Sequence, residues 1–135
     1  MWRKDRRKDI SGGGAMIKII IPGELTDLNT YINAERSNRF AGAKLKATNT
    51  DTVIWCAKQI KVLQPLENVR LTISWYCKNK KKDKDNISFA KKFIWDGLAK
   101  AGIIKNDGWN NITGFEDKFY IDTINPRIEV EIWEG

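Results

Sequence analysis

Three carboxylates stand out against a background of lysine. Asp83 and Asp85 lie two residues apart in Lys82-Asp83-Lys84-Asp85-Asn86, and Asp107 follows in the turn Lys105-Asn106-Asp107-Gly108. Residues two apart in an extended segment project to the same side, so Asp83 and Asp85 can face one ligand. Adding Asp107 gives three hard oxygen donors, a set suited to Mg²⁺ or Mn²⁺. Such an ion can polarise a scissile phosphate, activate a water molecule and stabilise the leaving oxygen. The chain contains no histidine. That excludes His-based triads, zinc-peptidase motifs, His-metal finger nucleases and a histidine general base, and leaves carboxylates, lysine and a metal to carry any catalysis.

The cations around the acids point to the substrate. Lys78, Lys80, Lys81, Lys82 and Lys84 crowd into one loop, and each DNA phosphate they neutralise releases condensed counterions. Arg36 and Arg39, with Lys44 and Lys46, fall in a stretch expected to be a loop and offer a second phosphate-binding surface. Over the whole chain 24 Lys and Arg face 17 Asp and Glu, a formal charge of +7 that favours a polyanionic partner. Part of this surplus, +3, belongs to residues 1–15, where five basic side chains meet two acidic ones.

The elements that must position these groups follow from periodicity. A chain of 135 residues fits one domain. The charged opening and Ser11-Gly12-Gly13-Gly14-Ala15 lack the apolar centre of a secretory signal. Residues 1–15 read as a disordered or non-native extension, Met16 as the native start, and residues 16–135 as the domain. A first strand runs over Ile17–Ile21, followed by a loop with a short helix. A first long helix spans about Ala47 to Gln64, with Trp55 beside its apolar stripe. Val69–Cys77 alternates with period two and is a strand with Trp75 on its apolar face. The lysine loop comes next, and a second long helix covers Ile87–Ala101, capped by Asp85 or Asn86 and stopped by Gly102. Ile103 and Ile104 return through the core. Phe115–Asp122 and Arg127–Trp133 form a terminal hairpin about Thr123-Ile124-Asn125-Pro126. The expected fold is α+β, a mixed or antiparallel sheet of about four strands with two long helices. No run approaches a membrane span. Cys56 and Cys77 lack metal or redox spacing and read as thiols of a reducing cytoplasm.

Taken together, Lys82-Asp83-Lys84-Asp85-Asn86-Ile87, Lys92-Phe93-Ile94-Trp95-Asp96-Gly97-Leu98, Ala101-Gly102-Ile103-Ile104 and Asn106-Asp107 resemble the RusA-type Holliday junction resolvases of bacteria and their prophages. The resemblance covers most of the chain from Met16 onward. It implies that Asp83, Asp85 and Asp107 are the metal-binding aspartates, and that the family's catalytic lysine is Lys92, with Lys91 as its rival. Many members carry two adjacent aspartates where this chain has Asn106-Asp107. The resemblance further implies a homodimer acting on four-way DNA by paired symmetric nicks with 5′-phosphate and 3′-hydroxyl ends, in a bacterial or phage-infected cytoplasm, with Mg²⁺ or Mn²⁺ as cofactor.

Plainer readings stand beside these. Asp83 and Asp85 taken alone fit a solvated charge run with a helix cap. Lys92 fits a solvent-facing lysine paired with Asp96 one turn on. Most of the six tryptophans fit a core, with Trp109 the one placed for junction contact. Glu116-Asp117-Lys118 holds an E-x-K fragment too short to define a nuclease. Two rival functions follow: a non-enzymatic branched-DNA binder, and a nuclease that prefers flaps or other branches.

Overall fold

The structure is a computed structural model and describes residues 16–135. The reading of residues 1–15 as an extension therefore falls outside the described residues. Four strands form one mixed sheet: β1 (Met16–Pro22), β2 (Val69–Cys77), β3 (Ile112–Ile121) and β4 (Arg127–Glu134). Their spatial order is β1-β4-β2-β3. Four helices accompany them: α1 (Leu28–Ser37), α2 (Arg39–Ala57), the short α3 (Lys84–Ser88) and α4 (Lys91–Lys100). The α+β class and the mixed four-stranded sheet agree with expectation.

The alternation of β2 produces the centre of the molecule. Leu71, Ile73, Trp75 and Cys77 are buried on one face, in line with Ile128, Val130 and Ile132 of β4 and Ile17, Ile19 and Ile21 of β1. Phe93, Ile94 and Leu98 of α4 and Val53 and Ala57 of α2 close over this surface. Helix α4 ends in a Schellman motif: Gly102, at φ 78°, donates to Ala99 O at 3.1 Å, and Ile103 donates to Leu98 O at 3.0 Å. Ile103 and Ile104 are then buried, as expected.

Four expectations need correction. β3 and β4 are not a hairpin. β3 runs parallel to β2, and β4 pairs antiparallel with both β2 and β1, so β2 lies between them. A turn signal at Asn125-Pro126 fixes only that the chain reverses, and here it reverses across the end of β2, where Asp122 N donates to Cys77 O at 2.8 Å. The long helix α2 begins eight residues before the expected start, at Arg39, where Asn38 caps it through Phe40 N at 2.7 Å. It also ends sooner, at Ala57. The expected helix over Ile87–Ala101 is two helices, α3 and α4, separated at Phe89 and Ala90. Trp55 is not core: it is 73 % exposed.

α4 packs tightly against α2 at Gly97. A Cβ built there would lie 2.5 Å from Val53 Cγ1 and 3.3 Å from Thr50 O. Both neighbours belong to a packed helix, so neither has room to yield. Gly97→Ala should therefore destabilise the protein by about 1–3 kcal/mol in urea unfolding, despite alanine's better helix propensity. An unchanged or raised midpoint would show that the two helices can part at little cost.

Candidate active site

The pairing of β2 with β3 places the site. These strands are parallel, so the chain between them, residues 78–111, must travel back along the sheet, and it carries the lysine loop, α3, α4 and the Asp107 turn. Asp83 occupies the N-cap position of α3 and Asp85 lies in its first turn. Neither Asp85 nor Asn86 caps the helix, contrary to expectation. Asp83 and Asp85 are both exposed and line one cleft with Lys80, Lys84, Ile87 and the end of β3 at Phe119–Ile121.

Asp107 lies elsewhere. It lines a separate hollow with Trp95, Trp109 and the start of β3 at Ile112–Phe115. From Gly114 to Tyr120 the strand advances by roughly 20 Å at about 3.3 Å per residue. Among the described residues, no three acidic, cysteine or histidine side chains of one chain gather closely enough to hold a metal. The segment is helical from Lys84 rather than extended, so the same-side spacing expected for Asp83 and Asp85 does not apply; the two still line one cleft, and Asp107 is not brought to them within a single chain. Its turn is still tightly defined: Asn106 Oδ1 accepts from Gly108 N at 2.8 Å, and Asn106 O accepts from Asn111 Nδ2. At this position the amide serves as a turn former.

Mg²⁺ commonly binds through one or two carboxylates and completes its shell with water and substrate phosphate. Asp83 and Asp85, adjacent, exposed and without an ion-pair partner among the described residues, fit that donor set.

The loop is fixed from outside. Lys82 Nζ pairs with Asp27 Oδ2 at 2.8 Å, and Asp27 Oδ1 accepts from Thr30 N at 2.8 Å as the N-cap of α1. Burial alone would raise the Asp27 pKa, but the bonds from Lys82 and Thr30 outweigh it and hold the carboxyl below its ordinary value. Its stabilising contribution is therefore present above the usual carboxylate range and is lost as pH falls through the lowered value. Asn86 Oδ1 accepts from Asn29 N at 2.9 Å.

The other cations divide into groups. Lys78, Lys80 and Lys81 are exposed, and Lys84 Nζ lies 5.7 Å from the centre of the Phe119 ring. Arg36 and Arg39 are exposed but sit on helices, at the end of α1 and the start of α2. Lys44 and Lys46 also lie within α2, so the expected basic loop is helical. Arg36 stands near the far end of α1 from Asp27, about 15 Å along a ten-residue helix.

Lys91 and Lys92 have different surroundings. Lys92 is exposed, with no ion pair among the described residues. Lys91 pairs with Asp117 of β3 and lies 4.4 Å from the Phe115 ring centre, while Trp75 Nε1 donates to the same Asp117 at 2.9 Å. Asp117 was visible in the sequence only inside a weak E-x-K match. Asp27 was not singled out in the sequence, since nothing local joins it to a lysine 55 positions on.

Residues 22–133 match the family model described as Endodeoxyribonuclease RusA. The chain belongs to the RusA endodeoxyribonuclease family, and is accordingly an enzyme that cuts DNA within the strand. No curated protein matches it individually.

The contrast between the two lysines is measurable. Lys91→Met removes the partner of a largely buried carboxylate and should cost about 1–3 kcal/mol. Lys92→Met, at an exposed position, should change stability by no more than about 0.5 kcal/mol. Equal unfolding midpoints for the two variants would mean that the Lys91–Asp117 pair contributes nothing to the fold.

Proposed function

We propose that this protein resolves four-way DNA junctions by metal-assisted phosphodiester hydrolysis, as a homodimer, with Asp83 and Asp85 as the core of each metal site. The observation that carries the proposal is the exposed Asp83–Asp85 pair at the rim of the sheet, set among exposed lysines, in a chain of an endodeoxyribonuclease family. Bound there, Mg²⁺ or Mn²⁺ supplies a Lewis acid for the phosphate and a more acidic water. Asp83 and Asp85 present their carboxylates to the solvent side, where a hydrated ion and a DNA strand can reach them. Lys78, Lys80, Lys81 and Lys84 hold the backbone across the cleft, and Arg36 and Arg39 extend the basic surface at a distance. Lys92 has a free ammonium group to meet the charge that grows on the phosphate, whereas Lys91 is engaged by Asp117. Water displaces the 3′ oxygen at phosphorus, and the P–O bond breaks to leave a 5′-phosphate and a 3′-hydroxyl.

The separation of Asp107 from Asp83 and Asp85 supports a site shared between two chains. β3 is an edge strand, and its two ends border the two halves of the acid set. Among the described residues no strand pairs with its outer edge, and Phe115, Tyr120 and Ile121 are each more than two-fifths exposed along it. Antiparallel pairing of β3 with its two-fold mate sets the start of one strand beside the end of the other. Asp107 of each chain then approaches Asp83 and Asp85 of the partner chain, twice. Two such sites match the two-fold symmetry of a four-way junction.

A synthetic four-way junction, a flap and a linear duplex, each with and without Mg²⁺ or Mn²⁺, test the activity. The junction should be cut best, only with metal, and Asp85→Asn should abolish cutting while leaving junction binding intact or stronger, since a negative charge near phosphate is removed. Binding without cutting under every metal condition would favour a non-enzymatic branched-DNA binder, and faster cutting of the flap would favour the other rival.

The shared site makes a separate prediction. Asp85→Asn and Asp107→Asn chains, each inactive alone, should regain single-strand nicking when mixed, because one of the two composite sites in the mixed dimer has all its acids. No recovery in a mixture shown to exchange subunits would place the complete acid set within one chain.

A further inference from the structure

Metal binding by Asp83 and Asp85 leaves open what holds two exposed carboxylates in place where the lysine loop enters α3. Lys82, Asp83, Lys84 and Asp85 are all exposed, and core packing reaches the segment only through Ile87 and Phe89 further along. The bonds that hold them lie on either side of the acids and lead to one place. Immediately before Asp83, Lys82 reaches Asp27 at 2.8 Å, and immediately after Asp85, Asn86 accepts from Asn29 N at 2.9 Å. Asp27 and Asn29 both belong to the start of α1.

That helix end is itself anchored. Thr26 N donates to Asn49 Oδ1 at 2.9 Å, and Asn49 Nδ2 donates to Thr26 Oγ1 at 2.8 Å and to Leu45 O at 2.7 Å. Asn49 and Asp27 are both buried, at 6 % exposure each. A continuous set of bonds therefore runs from the interior of α2, through Thr26 and Asp27, to the residue that precedes Asp83. It also turns the ammonium of Lys82, one of the two lysines that flank Asp83, toward Asp27.

We infer that the first turn of α1 is a clamp for the metal loop, with Asp27 as a positioning residue that sets the affinity of the Asp83–Asp85 pair for a divalent ion. Asp27 does not reach the ion. It acts through Lys82, while Asn29 acts through Asn86, so the segment between them is fixed at both ends. Partners of this indirect kind typically change metal affinity 10–100-fold when removed.

The inference rests on Asp83 and Asp85 being metal-binding, so the experiment includes a control for that reading. Asn caps helices as well as Asp does, so Asp27→Asn keeps the α1 cap while removing the charge that holds Lys82. Lys82→Gln breaks the same pair from the loop side and leaves the cap untouched. Mn²⁺ is titrated into each full-length variant without DNA, and free Mn²⁺ is followed by electron paramagnetic resonance. Asp27→Asn and Lys82→Gln should each raise the Mn²⁺ dissociation constant by about tenfold. Circular dichroism at the titration temperature should match that of the parent. If Asp85→Asn binds Mn²⁺ as tightly as the parent, the metal-binding reading fails and takes the clamp with it. If Asp85→Asn loses Mn²⁺ but either clamp variant binds it unchanged, the clamp alone is refuted. Should Asp27→Asn not fold, Lys82→Gln decides the question by itself.

Discussion

Under the proposed function Asp83 and Asp85 meet a hydrated cation and a DNA phosphate and have to stay in water, because burying an unpaired charge costs several kcal/mol. A side chain in water, however, has no packed neighbours to keep it still. The fold answers this conflict by separating the two tasks. The parallel pair β2 and β3 requires a long return segment, and that segment delivers the acids to the rim of the sheet. Hydrophobic burial fixes the framework beneath them, through Trp75, Phe93, Ile94 and Leu98. Directional bonds to Asp27 and Asn29 then fix the exposed loop itself. In the proposed clamp the apolar core decides where the loop emerges and the polar tethers decide how it is held.

The same division explains the roles of the basic residues. Lys82 could neutralise its neighbour Asp83 by direct pairing, yet it is drawn instead to Asp27, and Lys91 is likewise engaged by Asp117. Both of these receiving carboxylates are themselves bonded to other groups, Asp27 to Thr30 N and Asp117 to Trp75 Nε1. Two acids of the fold thus occupy two cations, and Asp83 and Asp85 remain open. The exposed lysines that are left form a cationic field around the cleft, strongest at low salt.

What could be read from the sequence followed from local regularity. β2 was legible because each second residue is apolar, and the end of α4 because Gly102 follows its last apolar turn. The acid spacing and the Gly97 and Gly102 blocks were enough to indicate the family. The early start of α2 was hidden because its first two turns bury only Gly42, and Asn49 and Thr50, which are buried, carry no apolar signal. Trp55 was misread because a large apolar side chain one step off a helical stripe looks the same whether it faces core or solvent. The strand order was not legible at all: a turn between β3 and β4 says nothing about whether β2 lies between them. For the same reason, sequence order could not show that Asp107 emerges at the opposite end of β3 from Asp83 and Asp85.

The register of β1 with β4 has a consequence for how the polypeptide can be rewired. Met16 lies opposite Trp133, so the first and last described strands meet at one end of the sheet. Gly135 N bonds to Asn68 O there, beside the start of β2. A short linker from Gly135 to Met16 would close residues 16–135 into a ring at this end. The ring could be reopened at the solvent-facing bend around Leu63, which is 89 % exposed, without cutting a strand or the crossover that bears the acids. The order of elements along the chain is in this sense separable from the architecture, which depends on the pairing of strands across the sheet.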